Sequence, residues 1–128
     1  IPQAEFPYVL PGEKGISNAL APQYANVSGI RDINPKPPIL WIRGDADSLV
    51  SDNSFSDLAV LGQMGIVPGY PGAEVFPPQP MVAQTRKVLE QYKENGGAYT
   101  ETVFPGCSHA SHLEEPDKFV AALTEFIA

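Results

Sequence analysis

Two histidines lie three positions apart near the carboxyl end of the chain, in the segment FPGCSHASHLEEP at residues 104–116. His109 and His112 are the only histidines among the 128 residues. Histidine exchanges protons close to neutral pH, so it is the side chain most often used as a general acid or base. A histidine between a strand and a helix is also commonly a surface or capping residue. A carboxylate partner for one of the two would favour the catalytic interpretation.

The elements that could bring such a partner alternate along the chain. PPILWIRG, which ends at Gly44, is a continuous apolar run typical of a strand buried on both faces of a parallel sheet. After this strand the sequence predicts a helix in SFSDLAVLGQMG and a second helix from Pro80 to the stop signal ENGG. A second strand is predicted in AYTETVFPG. A final helix is predicted from Pro116, with an apolar stripe of Phe119, Leu123, Phe126 and Ile127. This order predicts an α/β fold with a parallel sheet.

Functional residues of open parallel sheets gather at the carboxyl ends of the strands. GDADSLVS follows the first predicted strand, and GCSHASH follows the second. If the two strands are neighbours, Asp47 and His109 lie at the same edge of the sheet and can meet. A carboxylate that accepts from imidazole Nδ1–H fixes the tautomer, and Nε2 is then left to take a proton from a nucleophile or from water. The two residues therefore predict the acid and the base of a triad.

The same segments resemble the α/β-hydrolase superfamily. PPILWIRGDADSLVS is similar to its strand and acid loop, in the pattern Pro, apolar strand, Gly-x-x-Asp-x-x-Val, and FPGCSHASHLEEPDKFVAALTEFI is similar to its closing segment, Gly-x-x-His followed by His-Leu-Glu-x-Pro and a helix. The matches cover roughly residues 36–50 and 99–127. The resemblance implies the C-terminal part of an α/β-hydrolase fold, which contributes the last two parallel strands and their flanking helices. Because two strands leave edges unpaired, we expect another chain or a missing segment to complete the sheet.

By this resemblance Asp47 aligns with the triad acid and His109 with the triad base. Asp45, two positions earlier, is the rival acid, but the family spacing from Gly44 favours Asp47, and we expect Asp45 to be a turn carboxylate. His112 aligns with a position of structural importance, so we expect it to fix the loop or to pack near the last helix.

Residues next to the candidate acid and base are expected to contact the substrate, namely Leu49, Val50 and Ala110. The acid and the histidine lie farther apart in the sequence than is usual in the family, and residues 51–78 look like an insertion. This inserted region could form a wall of the pocket, or it could be a surface feature or a subunit contact.

The nucleophile is the missing member of the triad. In the family it precedes the acid and lies on a Gly-x-Ser-x-Gly elbow, and residues 1–46 contain no such motif. GCSHA resembles an elbow, but we expect no helix directly after it, and only His112 follows as a base. We therefore do not expect Ser108 or Cys107 to be the nucleophile, and we expect Cys107 to be a small buried residue. The implied partner is the N-terminal portion of the same hydrolase.

The domain organisation follows from the prolines, of which the chain has 14, about twice the usual ~5%. Residues 1–35 are expected to be a connector or the end of a cap region, with a short helix in SNALAPQYANVSGI. Residues 36–128 are expected to form the C-terminal part of the hydrolase core.

Composition excludes several classes of function. The net charge of −7 argues against a nucleic-acid partner, and no apolar run is long enough to span a membrane. A single cysteine excludes an internal disulfide, and no metal site or cofactor is predicted. Three functions remain: a serine esterase acting on a small apolar ester, an epoxide hydrolase or haloalkane dehalogenase with an aspartate nucleophile, and a non-catalytic binding protein on a hydrolase frame.

Overall fold

The structure is a computed structural model that describes residues 26–128. Its elements are a 3-10 helix (Val27–Asp32), strand β1 (Ile39–Gly44), helix α1 (Leu58–Gln63), helix α2 (Met81–Glu94), strand β2 (Tyr99–Phe104), helix α3 (Ser111–Glu114) and helix α4 (Pro116–Ile127). Most of the predicted connector over residues 1–35, and the start of the short helix expected there, lie outside the described residues.

The two strands form a small parallel sheet, as the alternation of strands and helices predicts. Ile39 pairs with Tyr99 at one end of the ladder, and Gly44 pairs with Phe104 at the other. Because the strands are parallel and in register, both loops that leave their carboxyl ends emerge at the same edge. The predicted α/β arrangement with two neighbouring parallel strands is confirmed.

The two longest helices lie on opposite faces of the sheet. Arg86 of α2 forms an ion pair with Glu101 on one face. On the other face, Phe126 of α4 lines a cleft of about 490 Å³ together with Leu40 and Thr102. Since side chains alternate between the two faces along a strand, these contacts place one helix on each side.

Helix ends agree with the local signals except at α1. Pro80 directly precedes α2, Pro116 is the first residue of α4, and Gly96 ends α2 with a φ of 92°, a conformation that favours glycine. Helix α1 is shorter than the predicted segment because Asp57 caps it, accepting a hydrogen bond from the Ala59 amide at 2.8 Å.

Burial of the strands is lower than predicted. Within the described residues, Gly44 is the one buried position of β1, and the other five positions are half-buried. Helix α4 contains no buried residue, and its predicted apolar stripe leaves Leu123 42% and Ile127 72% exposed. The expectation that β1 is buried on both faces is therefore wrong for residues 26–128, because two strands and two helices cannot enclose the sheet.

None of the helices described over residues 26–128 is long and apolar enough to cross a membrane.

Candidate active site

The loops that follow the two strands cross in direct contact. We call residues 45–50 the acid loop and residues 105–110 the histidine loop. The Ala46 amide donates to the Cys107 carbonyl at 3.0 Å, and a Cβ atom added at Gly44 would lie 2.0 Å from the same carbonyl oxygen. Any larger residue at position 44 would push the loops apart, so the glycine permits the approach on which the site depends.

Asp47 and His109 meet at this crossing. Nδ1 of His109 lies 2.9 Å from Oδ2 of Asp47, a hydrogen-bond distance. The other carboxylate oxygen, Oδ1, accepts from the amides of Leu49 at 2.8 Å and of Val50 at 2.9 Å. The carboxylate is thus fixed by its own loop while it holds the imidazole.

The electrostatics keep Asp47 ionised. Its side chain is 8% exposed, and this burial acts to raise its pKa. The hydrogen bonds from the Val50 amide, from His109 and from the Leu49 amide outweigh burial, so the net pKa lies below its ordinary value. An ionised carboxylate can only accept, so Nδ1 of His109 carries the proton in this bond.

The opposite side of the imidazole remains available for chemistry. The His109 side chain is 55% exposed, and Nε2 forms no hydrogen bond within residues 26–128. With the proton on Nδ1, Nε2 carries a lone pair that can accept a proton from an approaching hydroxyl group or water. The arrangement can therefore perform general base catalysis and return the proton as a general acid.

A hollow of about 150 Å³ opens beside this pair. We call it the site hollow; its lining residues are Trp41, Ile42, Arg43, Gly44, Asp47, Val50, His109 and Ser111. It runs along β1 and reaches the acid and the histidine at the carboxyl end of that strand. Trp41, Ile42, Arg43 and Ser111 were not predicted as site residues; their positions in the first predicted strand and in the segment after His109 were the available signals.

Of the three predicted substrate contacts, Val50 lines the site hollow. Leu49 is 46% exposed, and its carbonyl accepts a hydrogen bond from the Ser56 hydroxyl at 2.9 Å. Ala110 is half-buried and directly precedes α3. Leu49 and Ala110 lie outside the lining of the hollow, so their contact with substrate remains a prediction.

The rival acid has a different partner. Oδ1 of Asp45 accepts from the Gly106 amide at 2.6 Å, and Asp45 forms no hydrogen bond to His109. Asp45 therefore acts as a turn carboxylate that ties the acid loop to the histidine loop. The structure brings Asp47, and not Asp45, to the imidazole.

The second histidine packs against the last helix. The ring of His112 contacts Phe119 edge-on, with the ring centres 5.9 Å apart and the planes at 60°. This geometry is a common packing arrangement for aromatic rings. It agrees with the structural role expected from the sequence.

The GCSHA segment is engaged in hydrogen bonds and burial. The Ser108 hydroxyl donates to Glu114, and the Ser108 amide lies 3.0 Å from Oε1 and 3.1 Å from Oε2 of that carboxylate. Cys107 is 4% exposed, and burial raises the pKa of its thiol, which disfavours the reactive thiolate. A short helix, α3, begins at Ser111, so the expectation that the next helix starts only at Pro116 is wrong.

The predicted insertion, residues 51–78, forms hydrogen bonds with the acid loop and with α2. Ser54 and Ser56 both donate to the Leu49 carbonyl, and Asp52 accepts from the Ala83 amide at the start of α2 at 2.9 Å. No residue of 51–78 lines the site hollow within the described structure. The region also exposes apolar side chains, which are Phe55, Met64, Ile66 and Val75.

A second charged cluster lies under α2. Glu101 accepts from Arg43 Nε at 2.7 Å, and from Arg86 Nε at 3.0 Å and Nη2 at 2.7 Å. Both guanidinium groups lie over the Trp41 ring, at 5.6 and 5.7 Å from its centre. The hydrogen bonds from Arg86, and then the one from Arg43, outweigh burial and lower the pKa of Glu101 to about 2. This cluster was not predicted, although charged residues inside predicted strands were a signal for it.

No group of three or more histidine, cysteine, aspartate or glutamate side chains over residues 26–128 could hold a metal ion.

Comparisons of the chain with protein-family models, with curated proteins and with solved structures found no match.

Proposed function

We propose that this chain is the C-terminal part of a serine esterase of the α/β-hydrolase superfamily, with Asp47 as triad acid and His109 as triad base. The observation that carries the proposal is the 2.9 Å contact between Nδ1 of His109 and Oδ2 of Asp47, with Nε2 open beside the site hollow. The motif resemblance and the lowered pKa of Asp47 support it as well.

In the proposed reaction, Nε2 of His109 takes the proton of a serine hydroxyl while the serine oxygen attacks the ester carbonyl. Asp47 stabilises the imidazolium that results. The imidazolium then protonates the departing alcohol, and an acyl-serine remains. In the second half of the reaction, a water molecule gives a proton to Nε2 while its oxygen attacks the acyl carbon. The bond from the acyl carbon to the serine oxygen then breaks, the carboxylic acid leaves, and the imidazolium returns the proton to the serine oxygen.

The serine belongs to an N-terminal portion of the same hydrolase that also completes the sheet. The half-buried positions of β1 and the exposed apolar stripe of α4 support this partner, because both are surfaces that further strands and helices would cover. The cleft of about 490 Å³ between α4 and the sheet supports it too. Since no Gly-x-Ser-x-Gly motif lies upstream of Asp47 in this sequence, the proposed triad takes its serine from this partner.

The substrate is a small, largely apolar ester. Trp41, Ile42 and Val50 contribute the apolar part of the site hollow beside the polar Arg43, Asp47, His109 and Ser111, and its volume of about 150 Å³ is below the ~300 Å³ of a typical small-molecule pocket. The partner therefore supplies the rest of the pocket.

The test measures turnover and active-site labelling in the protein as isolated, together with any polypeptide that accompanies it. A chromogenic short-chain ester should be hydrolysed, and a serine-directed phosphonate should label a serine outside this chain. His109→Ala should abolish turnover, and His112→Ala, the matched histidine control, should retain it.

Other outcomes reject the esterase and choose between the alternatives. Turnover of an epoxide or a haloalkane without phosphonate labelling would indicate an aspartate nucleophile, with His109 activating the water that cleaves the ester intermediate. No turnover of any of these compounds would indicate a non-catalytic binding protein.

A further inference from the structure

The three residues before His109 are each tied to a different neighbour. The Gly106 amide donates to Oδ1 of Asp45 at 2.6 Å, and the Cys107 carbonyl accepts from the Ala46 amide at 3.0 Å. The Ser108 amide and hydroxyl both donate to the carboxylate of Glu114. Residues 106–108 thus form a segment held from both sides.

The two carboxylates approach this segment from separate elements. Asp45 belongs to the acid loop, two residues before Asp47, and Glu114 ends helix α3, after His109. Neither forms a hydrogen bond with His109. Their hydrogen bonds therefore reach the site only through residues 106–108 of the histidine loop.

The imidazole needs such support because little else holds it. The side chain of His109 is 55% exposed, and its one hydrogen bond within residues 26–128 is the bond to Asp47. Gly106 has a φ of 75°, so the histidine loop bends at a residue with few conformational restrictions. A shift of about 1 Å in a catalytic group can cost about 10²-fold in rate.

The geometry points to Asp45 and Glu114 as positioning residues that hold residues 106–108, so that Nδ1 of His109 stays within hydrogen-bond distance of Asp47. The kinetic consequence rests on the proposed function, but the structural consequence does not. Asp45 acts through one acceptor oxygen on one amide. Glu114 acts through two oxygens on two donors of Ser108, which a single carboxylate is suited to accept.

An acceptor atom, and not the charge itself, is what Asp45 supplies to Gly106. Asp45→Asn keeps a carbonyl oxygen in the same place, whereas Asp45→Ala removes it. The same contrast holds between Glu114→Gln, which keeps one acceptor oxygen, and Glu114→Ala, which keeps none. The alanine variants should therefore loosen the histidine loop, and the amide variants should restore most of its position.

The first readout is nitrogen-15 NMR of the imidazole rings in the full chain, with any polypeptide that accompanies it. The chain has two histidines, so the His112 signals serve as an internal reference and are assigned with His112→Gln. Neutral His109 should carry its proton on Nδ1 in the unsubstituted chain. Asp45→Ala and Glu114→Ala should shift the tautomer population towards Nε2–H, and Asp45→Asn and Glu114→Gln should largely restore it.

The second readout is ester hydrolysis by the same variants. The alanine variants should lower kcat about 10- to 100-fold with little change in KM, because the base is misplaced while the site hollow persists. The amide variants should stay within about threefold of the unsubstituted protein.

Alanine variants that keep both the tautomer and the turnover would overturn the inference. If Glu114→Ala does not fold, Asp45→Ala decides alone, since it removes the acceptor of the Gly106 amide; an unchanged His109 tautomer there would overturn the inference equally. A tautomer shift in the alanine variants, with no ester turnover in any form of the protein, would contradict the proposed esterase and would still support the positioning role.

Discussion

Two carboxylates, Asp47 in the acid loop and Glu101 within β2, differ in what surrounds them. Each is shielded from solvent, with side chains 8% and 18% exposed, and each accepts three hydrogen bonds. The donors to Glu101 come from Arg43 and Arg86, which stay charged at any ordinary pH. The donors to Asp47 are two backbone amides and one imidazole.

This difference separates an ion-pair cluster from a hydrogen-bonded pair that includes a titratable group. The arginines hold Glu101 through three charge-assisted hydrogen bonds and join β1, β2 and α2. At Asp47 the amides fix the carboxylate, and the remaining oxygen holds a group that can gain and lose a proton. Burial of a carboxylate alone is therefore a weak reason to propose a reactive site, and a titratable partner with a free atom is a stronger one.

The largest expected effect follows removal of the titratable partner or its acid. His109→Ala and Asp47→Asn should each lower kcat/KM for a short-chain ester by about 10³- to 10⁴-fold, because the base is lost or its tautomer reversed. Far-UV circular dichroism and urea unfolding should stay close to those of the unsubstituted protein. Asp45→Asn is the matched control and should change kcat/KM little. A large loss in this control, with the His109 tautomer unchanged, would reassign the acid.

The next largest effect should come from Gly44→Ala, at the crossing of the two loops. Its Cβ would lie 2.0 Å from the Cys107 carbonyl oxygen, which cannot rotate away as a side chain can. We expect a loss of about 1–3 kcal/mol in the free energy of unfolding and at least about a tenfold loss of turnover.

Gly29→Ala provides the comparison for that substitution. A Cβ at Gly29 would meet no atom within 4 Å, so urea unfolding should detect little change. Equal unfolding midpoints for the two variants would show that the close loop crossing does not constrain position 44.

A smaller effect, on stability and not on turnover, is expected for Glu101→Gln. It leaves Arg43 and Arg86, 21% and 40% exposed, without their counter-charge. Solvent screens such groups in part, so we expect a loss of about 1–2 kcal/mol at pH 7, below the ~3–5 kcal/mol of a fully buried pair. Turnover should remain within a fewfold of the unsubstituted protein.

The pH dependence of this loss has a defined sign. The pKa of Glu101 is lowered from 4.5 to about 2 in the folded chain, so its stabilisation is complete above about pH 4.5 and is lost as the pH falls towards 2. The unfolding curves of the two proteins should therefore converge in acid and separate at neutral pH. Glu74→Gln, at an exposed glutamate, controls for the lost charge. Curves that coincide from pH 3 to 7 would rule out a stabilising role for the cluster.

The smallest effect should be that of His112→Gln. The edge-on contact with Phe119 is partly exposed, and contacts of this kind contribute about 0.5–1.5 kcal/mol when well packed. We expect a loss of about 0.5 kcal/mol in thermal or urea unfolding and turnover within about twofold. A loss of turnover comparable with that of His109→Ala would exchange the roles of the two histidines.

Proline and glycine residues in the sequence predicted where most of the longer helices begin and end. Pro80 and Pro116 mark the starts of α2 and α4, and Gly96 follows the end of α2, because proline and glycine restrict or release the backbone independently of the fold. Helix α1 starts later than the predicted segment SFSDLAVLGQMG does, because Asp57 caps it. Ser54, the first residue of that segment, donates to the Leu49 carbonyl, a contact that the order of residues does not reveal.

Contacts between distant segments were predicted only where topology dictates them. Parallel neighbours bring their carboxyl ends to one edge, so Asp47 and His109 could be matched before any coordinates. The Arg43–Glu101–Arg86 cluster and the Ser108–Glu114 contact depend on which way side chains turn and how closely α2 and α3 approach. No spacing rule in the sequence fixes those quantities.

The sequence by itself determined the strand and helix order and the residue types that could act as acid and base, because apolar periodicity, proline and glycine act over a few neighbouring positions. The family spacing had favoured Asp47 as the acid, but only tertiary structure decided that Asp45 accepts from the Gly106 amide. Both carboxylates follow the same strand two residues apart, and the path of the crossing loops, which the missing side chain of Gly44 permits, gives each of them its own partner.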